Sequence, residues 1–238
     1  MKLCLAIAFQ NEANWLRLHL PVLVHADVDG LVGLDGGSHD DSAAVVHSHV
    51  GSVHKHHFNY HWGDHMNALI EAARSEGFDA VLRLDPDELM FPGHINQVRS
   101  YLKKFSVLRF PRINFEVDRC HWCKQLWPDY QARAFCLDKD IYYVNRVHEL
   151  LSLPANTTVK DVKEWPIFHY EGIKPGPERQ LKGINYWRLE HGLEPLKQLL
   201  PNTPPFEPRP HEPFLQPQPI HPLRCGAHAP LEELVYAV

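Results

Sequence analysis

The stretch Val81-Leu82-Arg83-Leu84-Asp85-Pro86-Asp87-Glu88-Leu89-Met90-Phe91 decides how this chain reads. A short β-prone run leaves an apolar interior and stops in three carboxylates within four residues, Asp85, Asp87 and Glu88. Like charges this close resist ionising together unless a cation sits among them. Carboxylate oxygens suit a hard divalent ion, Mg²⁺ or Mn²⁺, which keeps waters and shares its ligation with phosphates. Pro86 fixes its own φ and biases Asp85 away from helix, so the carboxylates project from a rigid turn. The alternative is an acidic surface turn at the end of a strand.

Working outward from that turn, strand and helix alternate. Lys2–Phe9 reads as a central strand, followed by a helix with an apolar stripe at Trp15, Leu16, Leu18, Leu20 and Leu23 that Pro21 interrupts. Val28–Leu34 is a second strand ending in Asp35-Gly36-Gly37-Ser38, where the glycine pair lets a ligand approach the backbone. Asp40 and Asp41 stand where a helix would begin. Ser52–Phe58 is a third strand, Asp64 reads as the N-cap of a helix through Glu76, Gly77 closes it, and Asp79–Leu84 is the fourth strand. This is an α/β layer with a mostly parallel central sheet. Ligands of such sheets bind beyond the carboxyl ends of the strands, and Asn11-Glu12, Asp35 and Asp85-Pro86-Asp87 all fall on that edge.

Beyond Pro92 the pattern loosens. Ser106–Asn114, Ala132–Val144 and Glu164–Tyr170 contain β-like segments, and Pro177–His191 reads as a helix carrying Arg179, Lys182 and Arg188. The aromatic residues from Trp122 to Tyr143 are core or a stacking surface for an acceptor sugar. From Pro201 to Pro222 proline is too dense for a packed element.

At 238 residues the chain suits one domain with a tail, and 44% hydrophobic residues suffice for a sizeable core. A net charge of −5 provides no basic field for nucleic acid. The apolar start breaks at Gln10-Asn11-Glu12 without a cleavage pattern, so it reads as a buried strand rather than a leader, and no run is long enough for a transmembrane segment. Five irregularly spaced Cys do not describe a disulfide scaffold, which makes a cytoplasmic setting the default. Cys120-His121-Trp122-Cys123 has the spacing of half a zinc site, with Cys136 as a possible completion. The run His54, His56, His57, His61, His65 reads as a solvated strand end rather than a metal cluster.

Taken in order, Ala8-Phe9-Gln10-Asn11-Glu12, Gly33-Leu34-Asp35-Gly36-Gly37-Ser38-His39-Asp40, Asn67 and Asp85-Pro86-Asp87-Glu88 resemble a family 2 glycosyltransferase. With Val147-His148-Glu149, they resemble above all the small bacterial lipopolysaccharide-core-type glucosyltransferases. The resemblance covers about residues 1 to 186. It implies a GT-A (Rossmann-like) fold over residues 1–200, with a nucleotide-sugar-binding half at 1–104 and an acceptor-side half at 105–200. Residues 201–238 form a proline-rich tail.

The resemblance also implies roles. Asn11 and Glu12 line the nucleotide pocket, with Glu12 near the ribose, and Asp35 meets the nucleobase. Asp85 faces the ribose or, through water, the metal; Asp87 binds the metal, and His169 is a further metal ligand. Arg179 and Lys182 neutralise the diphosphate. The chemistry needs a divalent ion against the leaving diphosphate and a base at the acceptor hydroxyl. Glu149 is the candidate base, ahead of His148 and Asp118; a structural Arg146–Glu149 pair is the alternative for that carboxylate.

The reading is therefore a metal-dependent (Mn²⁺ or Mg²⁺) inverting glycosyltransferase. It takes a nucleotide-diphosphate sugar, a UDP-sugar being favoured, and a saccharide or other hydroxyl acceptor, with no nucleic acid. The alternatives are an inactive nucleotide-sugar or glycan-binding module and a sugar nucleotidyltransferase.

Overall fold

β1 (Leu3–Phe9) lies inside the sheet, and its two faces account for the layers around it. The computed structural model describes residues 1–115, 121–123, 126–138, 140–174, 176–199 and 217–219. Leu3, Leu5, Ile7 and Phe9 pack with Leu16, Leu20 and Leu23 of α1 (Ala13–Leu23), and with Ile95, Val98 and Leu102 of α4 (Pro92–Leu102). The alternate residues Cys4, Ala6 and Ala8 are smaller and sit under Met66, Leu69, Ile70 and Ala73 of α3 (Trp62–Ser75). Burying each large aliphatic side chain contributes about 1.5–3 kcal/mol. Pro21 stays inside α1 because it lies on the exposed side, two residues from the helix end.

β1 pairs in parallel with β2 (Gly30–Asp35) on one side and β4 (Ala80–Arg83) on the other; β3 (Ser52–Lys55) extends the sheet in parallel beyond β2. The carboxyl ends of these strands therefore share one edge. Past β4 the sheet becomes mixed. β8 (Asp129–Cys136) enters antiparallel to β4 and to β6 (Val107–Asn114). Such pairing needs no crossover helix, so the antiparallel β8 interrupts a sheet that is otherwise mostly parallel. β6 then pairs in parallel with β11 (Val159–Asp161) and β12 (Ile167–His169). β12 ends against β5 (Glu88–Leu89), with His169 directly opposite Glu88. That last pairing folds the acidic turn against a strand eighty residues away in sequence.

Several local expectations need correction. α3 starts at Trp62 with His61 as its N-cap, whose Nδ1 accepts the Asp64 amide at 3.1 Å; Asp64 lies in the first turn, where its charge still opposes the positive helix end. α4 was not anticipated, since Pro92 and Gly93 look like loop punctuation; Pro92 instead occupies the first turn, where its missing N–H costs nothing. The proline-dense stretch contributes β13 (Pro217–Pro219), antiparallel to β7 (His121–Cys123), an edge pairing that tolerates proline. The rest of that stretch, together with Asp118 and Cys120, lies outside the described residues.

The remaining elements are α2 (Ser42–Ser48), the hairpin β9 (Tyr142–Val144) and β10 (Leu150–Ser152), a 3-10 turn at Glu171–Ile173, and α5 (Gly176–Glu190). Asn67 turns out to be a staple: its amide donates to Tyr143 O (2.9 Å) and accepts from Tyr143 N (2.7 Å), tying α3 to β9. No helix among the described residues is long and apolar enough to cross a membrane.

Candidate active site at the carboxyl edge

The first loops over this edge are held to one another by their own side chains. Asp35 ends β2 buried, and its Oδ1 accepts the amides of Gly37 (3.0 Å) and Ser38 (2.7 Å); Gly37 allows this by its φ of +101°. Asn11, at φ +57°, accepts the His39 amide at Oδ1 (2.8 Å) and gives its own amide to Ser38 Oγ (3.0 Å). Neither Asn11 nor Glu12 caps α1 with its side chain; Glu12 Oε1 instead accepts from Lys174 Nζ at 2.8 Å.

The acidic turn meets cations that the sequence reading did not place. Asp85 accepts Arg83 Nη2 at Oδ1 and Arg133 Nη2 at Oδ2 (2.8 Å). Glu88, fully buried, accepts Arg133 through Nε (3.0 Å) and Nη2 (2.6 Å), takes the Asp85 amide at 3.0 Å, and lies 3.5 Å from Arg112 Nη1. Burial pushes the Asp85 and Glu88 carboxyls up, but the guanidinium groups outweigh it, holding Asp85 well below the usual carboxylate range and Glu88 below it.

Asp87 stands apart from this arginine network. Its Oδ2 lies 3.0 Å from Lys174 Nζ and 3.8 Å from His169 Nε2. His169 Nδ1 is 2.7 Å from Asn114 Oδ1, an acceptor, so Nδ1 carries the hydrogen and Nε2 presents a lone pair toward Asp87. Burial holds the His169 ring below its ordinary value, with Asp87 opposing, which favours the neutral imidazole. Asp87, His169 and Glu171 each offer one ligand atom, all within 4.8 Å of one another. Asp87 Oδ2 and Glu171 Oε2 are buried without a hydrogen-bond partner among the described residues. Two carboxylate oxygens that lysine ammoniums approach without a hydrogen bond of good geometry, beside a neutral imidazole whose far nitrogen is anchored, form a donor set that fits a divalent ion.

No family model matches the chain, and no curated protein matches it in sequence. Solved structures do match. TarS 1–349 from S. aureus aligns at a TM-score of 0.52 and 14% identity, over 83% of this chain and 67% of that one. The same TarS 1–349 has been crystallised with UDP and with UDP-GlcNAc. Against a longer TarS structure the chain spans 41% of the length. The mannosyltransferase PcManGT from Pyrobaculum calidifontis, in complex with GDP-Man and Mn²⁺, aligns at a TM-score of 0.52 and 9% identity, over 78% of this chain and 61% of that one. The chain has the GT-A fold. At these identities the likeness is one of architecture, and the roles of side chains rest on the geometry above.

The remaining candidates sit around the same GT-A edge. Glu149 Oε1 is 3.5 Å from Arg83 Nη1, so it shares a guanidinium with Asp85; Arg146 does not pair with it but donates to Tyr60 O (3.2 Å). His148, at φ +52°, is 2.8 Å from Glu190 and stacks on Tyr186, which stacks on Trp62. Arg179 is exposed and donates to Gly172 O (2.8 Å), and Lys182 Nζ is 3.0 Å from Glu171 Oε2, so both tie α5 to the 3-10 turn that carries Glu171. Tyr143 belongs to the core, with the Arg83 guanidinium 5.5 Å over its ring, while Tyr142 is exposed. In the histidine run, His54 pairs with Glu76 and His56 Nδ1 lies 3.0 Å from His65 Nδ1.

Sequence reasoning missed Arg83, Arg112, Arg133, Glu171, Lys174 and Asn114. A signal existed for two of them. Arg83 and Arg133 each interrupt an apolar strand run, and a buried arginine is found almost only where it is paired.

Proposed function

We propose that the chain is a metal-dependent, inverting glycosyltransferase that moves a sugar from a nucleotide diphosphate, a UDP-sugar being favoured, to the hydroxyl of a saccharide or other acceptor. The observation that carries this reading is the Asp87–His169–Glu171 donor set, at the strand edge of a GT-A fold, with its ligand atoms within 4.8 Å of one another. Asp87, His169 and Glu171 would hold the divalent ion, which would supply Lewis-acid stabilisation to the leaving diphosphate.

The chain's own groups do the rest. Asn11 and Asp35 shape the nucleoside end of the pocket, and Glu12 lies toward the ribose. Asp85 keeps 27% of its side chain exposed beside its arginine partners, which leaves room for a ribose hydroxyl or a metal-bound water. Arg179 and Lys182 supply positive charge to the diphosphate. Glu149 takes the acceptor proton at a carboxylate oxygen while the acceptor oxygen bonds to the anomeric carbon and the nucleotide diphosphate departs from the opposite face.

Calorimetric titration of UDP, GDP and dTDP, with Mn²⁺ and again with EDTA, tests the donor site. The expected result is metal-dependent binding of one nucleotide, lost in both Asp35→Ala and Asp87→Ala. Donor hydrolysis that disappears in Asp87→Ala separates an enzyme from a binding module. Folded protein that binds no diphosphate in the presence of metal would overturn the reading.

A further inference from the structure

Lys174 reaches three carboxylates of the site. Its Nζ lies 2.8 Å from Glu12 Oε1, 3.0 Å from Asp87 Oδ2 and 3.4 Å from Glu171 Oε2, and the side chain is 6% exposed. The ammonium therefore fills the gap in which a cation bound by Asp87 and Glu171 would sit. Its grip on those two residues is electrostatic, because neither Asp87 Oδ2 nor Glu171 Oε2 forms a hydrogen bond of good geometry. A lysine ammonium is a compact charge on a flexible stem, so it can leave without disturbing the backbone.

We infer that Lys174 is a built-in counter-ion which a divalent metal must displace, and that a nucleotide diphosphate makes the displacement favourable by giving the ammonium a new anionic partner. This rests on the metal-dependent reading of the site. Metal alone then binds weakly, because its charge repels an ammonium still held by the same carboxylates. Metal and nucleotide load together, each tightening the other by the same factor, as linkage requires. Lys174 is a positioning residue in this scheme and touches no reacting atom.

The test is a titration of the full chain with Mn²⁺, reading free Mn²⁺ by electron paramagnetic resonance, with and without UDP. Wild type is expected to bind Mn²⁺ roughly tenfold or more tightly when UDP is present. Lys174→Met, which removes the charge and adds no ligand, is expected to bind Mn²⁺ alone roughly tenfold or more tightly than wild type does, and to respond less to UDP. Lys174→Arg, which keeps a cation against the carboxylates, is expected to stay weak without nucleotide. Lys174→Met binding Mn²⁺ no better than wild type, or Lys174→Arg binding it as well as Lys174→Met, overturns the inference. Should Lys174→Met fail to fold, wild type decides alone: equal Mn²⁺ affinity with and without UDP overturns the counter-ion while leaving the metal site standing. Wild type that binds no Mn²⁺ even with UDP removes the metal-dependent reading itself.

Discussion

Asp85 and Glu88 face arginine, whereas Asp87, two residues from one and adjacent to the other, faces lysine and histidine. The first pair is gripped by planar guanidinium forks that offer several fixed N–H donors at once. Glu88 is wholly buried, Arg133 nearly so, and together they brace the turn against β8. Asp87 has the Lys174 ammonium and a neutral ring beside its Oδ2, which lacks a hydrogen bond of good geometry. One short acidic segment thus divides into a part that is built in and a part left open to exchange its cation. Charge repulsion among the three carboxylates is accordingly no argument for a metal by itself, because the protein's own arginines answer most of it.

The comparison breaks most visibly at Arg133. Arg133→Met leaves Glu88 buried without its two-point partner and is expected to cost about 3–5 kcal/mol, read as a lower denaturation midpoint in urea at neutral pH. A variant within 1 kcal/mol of wild type would mean that the arginine half is not structural.

A second test uses pH, since Glu12, which shares Lys174 with Asp87, responds with the opposite sign to Asp85 and Glu88. Burial pushes the Glu12 carboxyl up to about 7, with Lys174 opposing, because one ammonium serves three carboxylates. The folded chain then holds a proton that the unfolded chain, at an ordinary 4.5, has released. Stability from this group therefore falls as pH rises from about 4.5 to about 7. Asp85 and Glu88, shifted down, contribute stability that is lost as pH falls below the ordinary carboxylate range. Glu12→Gln is expected to be close to wild type at pH 5 and about 2 kcal/mol more stable at pH 8 in urea unfolding. Identical pH profiles would show that Glu12 carries no excess charge.

The smallest effect falls on the anchor of His169. Asn114→Ala frees Nδ1 and is expected to weaken Mn²⁺ binding in the presence of UDP by about tenfold with the fold intact. An unchanged affinity would mean that His169 needs no support to present Nε2.

The parallel half of the sheet was legible because β1, β2 and β4 are apolar runs that end in turn residues, so Glu12, Asp35 and Asp87 could be placed on one edge before any coordinates. Local chemistry misled at Pro92-Gly93, where loop punctuation turned out to open α4, and at Asp64, where His61 took the cap. The antiparallel entry of β8 was hidden for a different reason: strand order is a long-range property that no local pattern encodes. The same holds for the cations around the turn. Arg83 belongs to the turn's own stretch, but Arg112, Arg133 and Lys174 come from three others, and the pairings of β8 with β4, of β6 with β8 and β12, and of β12 with β5 bring them to it. His169 was within reach of sequence reasoning, whereas Glu171, two residues further on, carried no signal of its own.

The contact between Lys174 and Glu12 spans 162 positions. On a ribosome, where chains emerge N-terminal end first, the loop after β1 is made near the start and its partner 162 positions later. A nascent chain that already has its first strands cannot close this site until residue 174 is out of the exit tunnel. Synthesis as far as residue 174 therefore acts as a licence: the loop after β1 is made early, and the ammonium that neutralises Glu12 arrives 162 positions later.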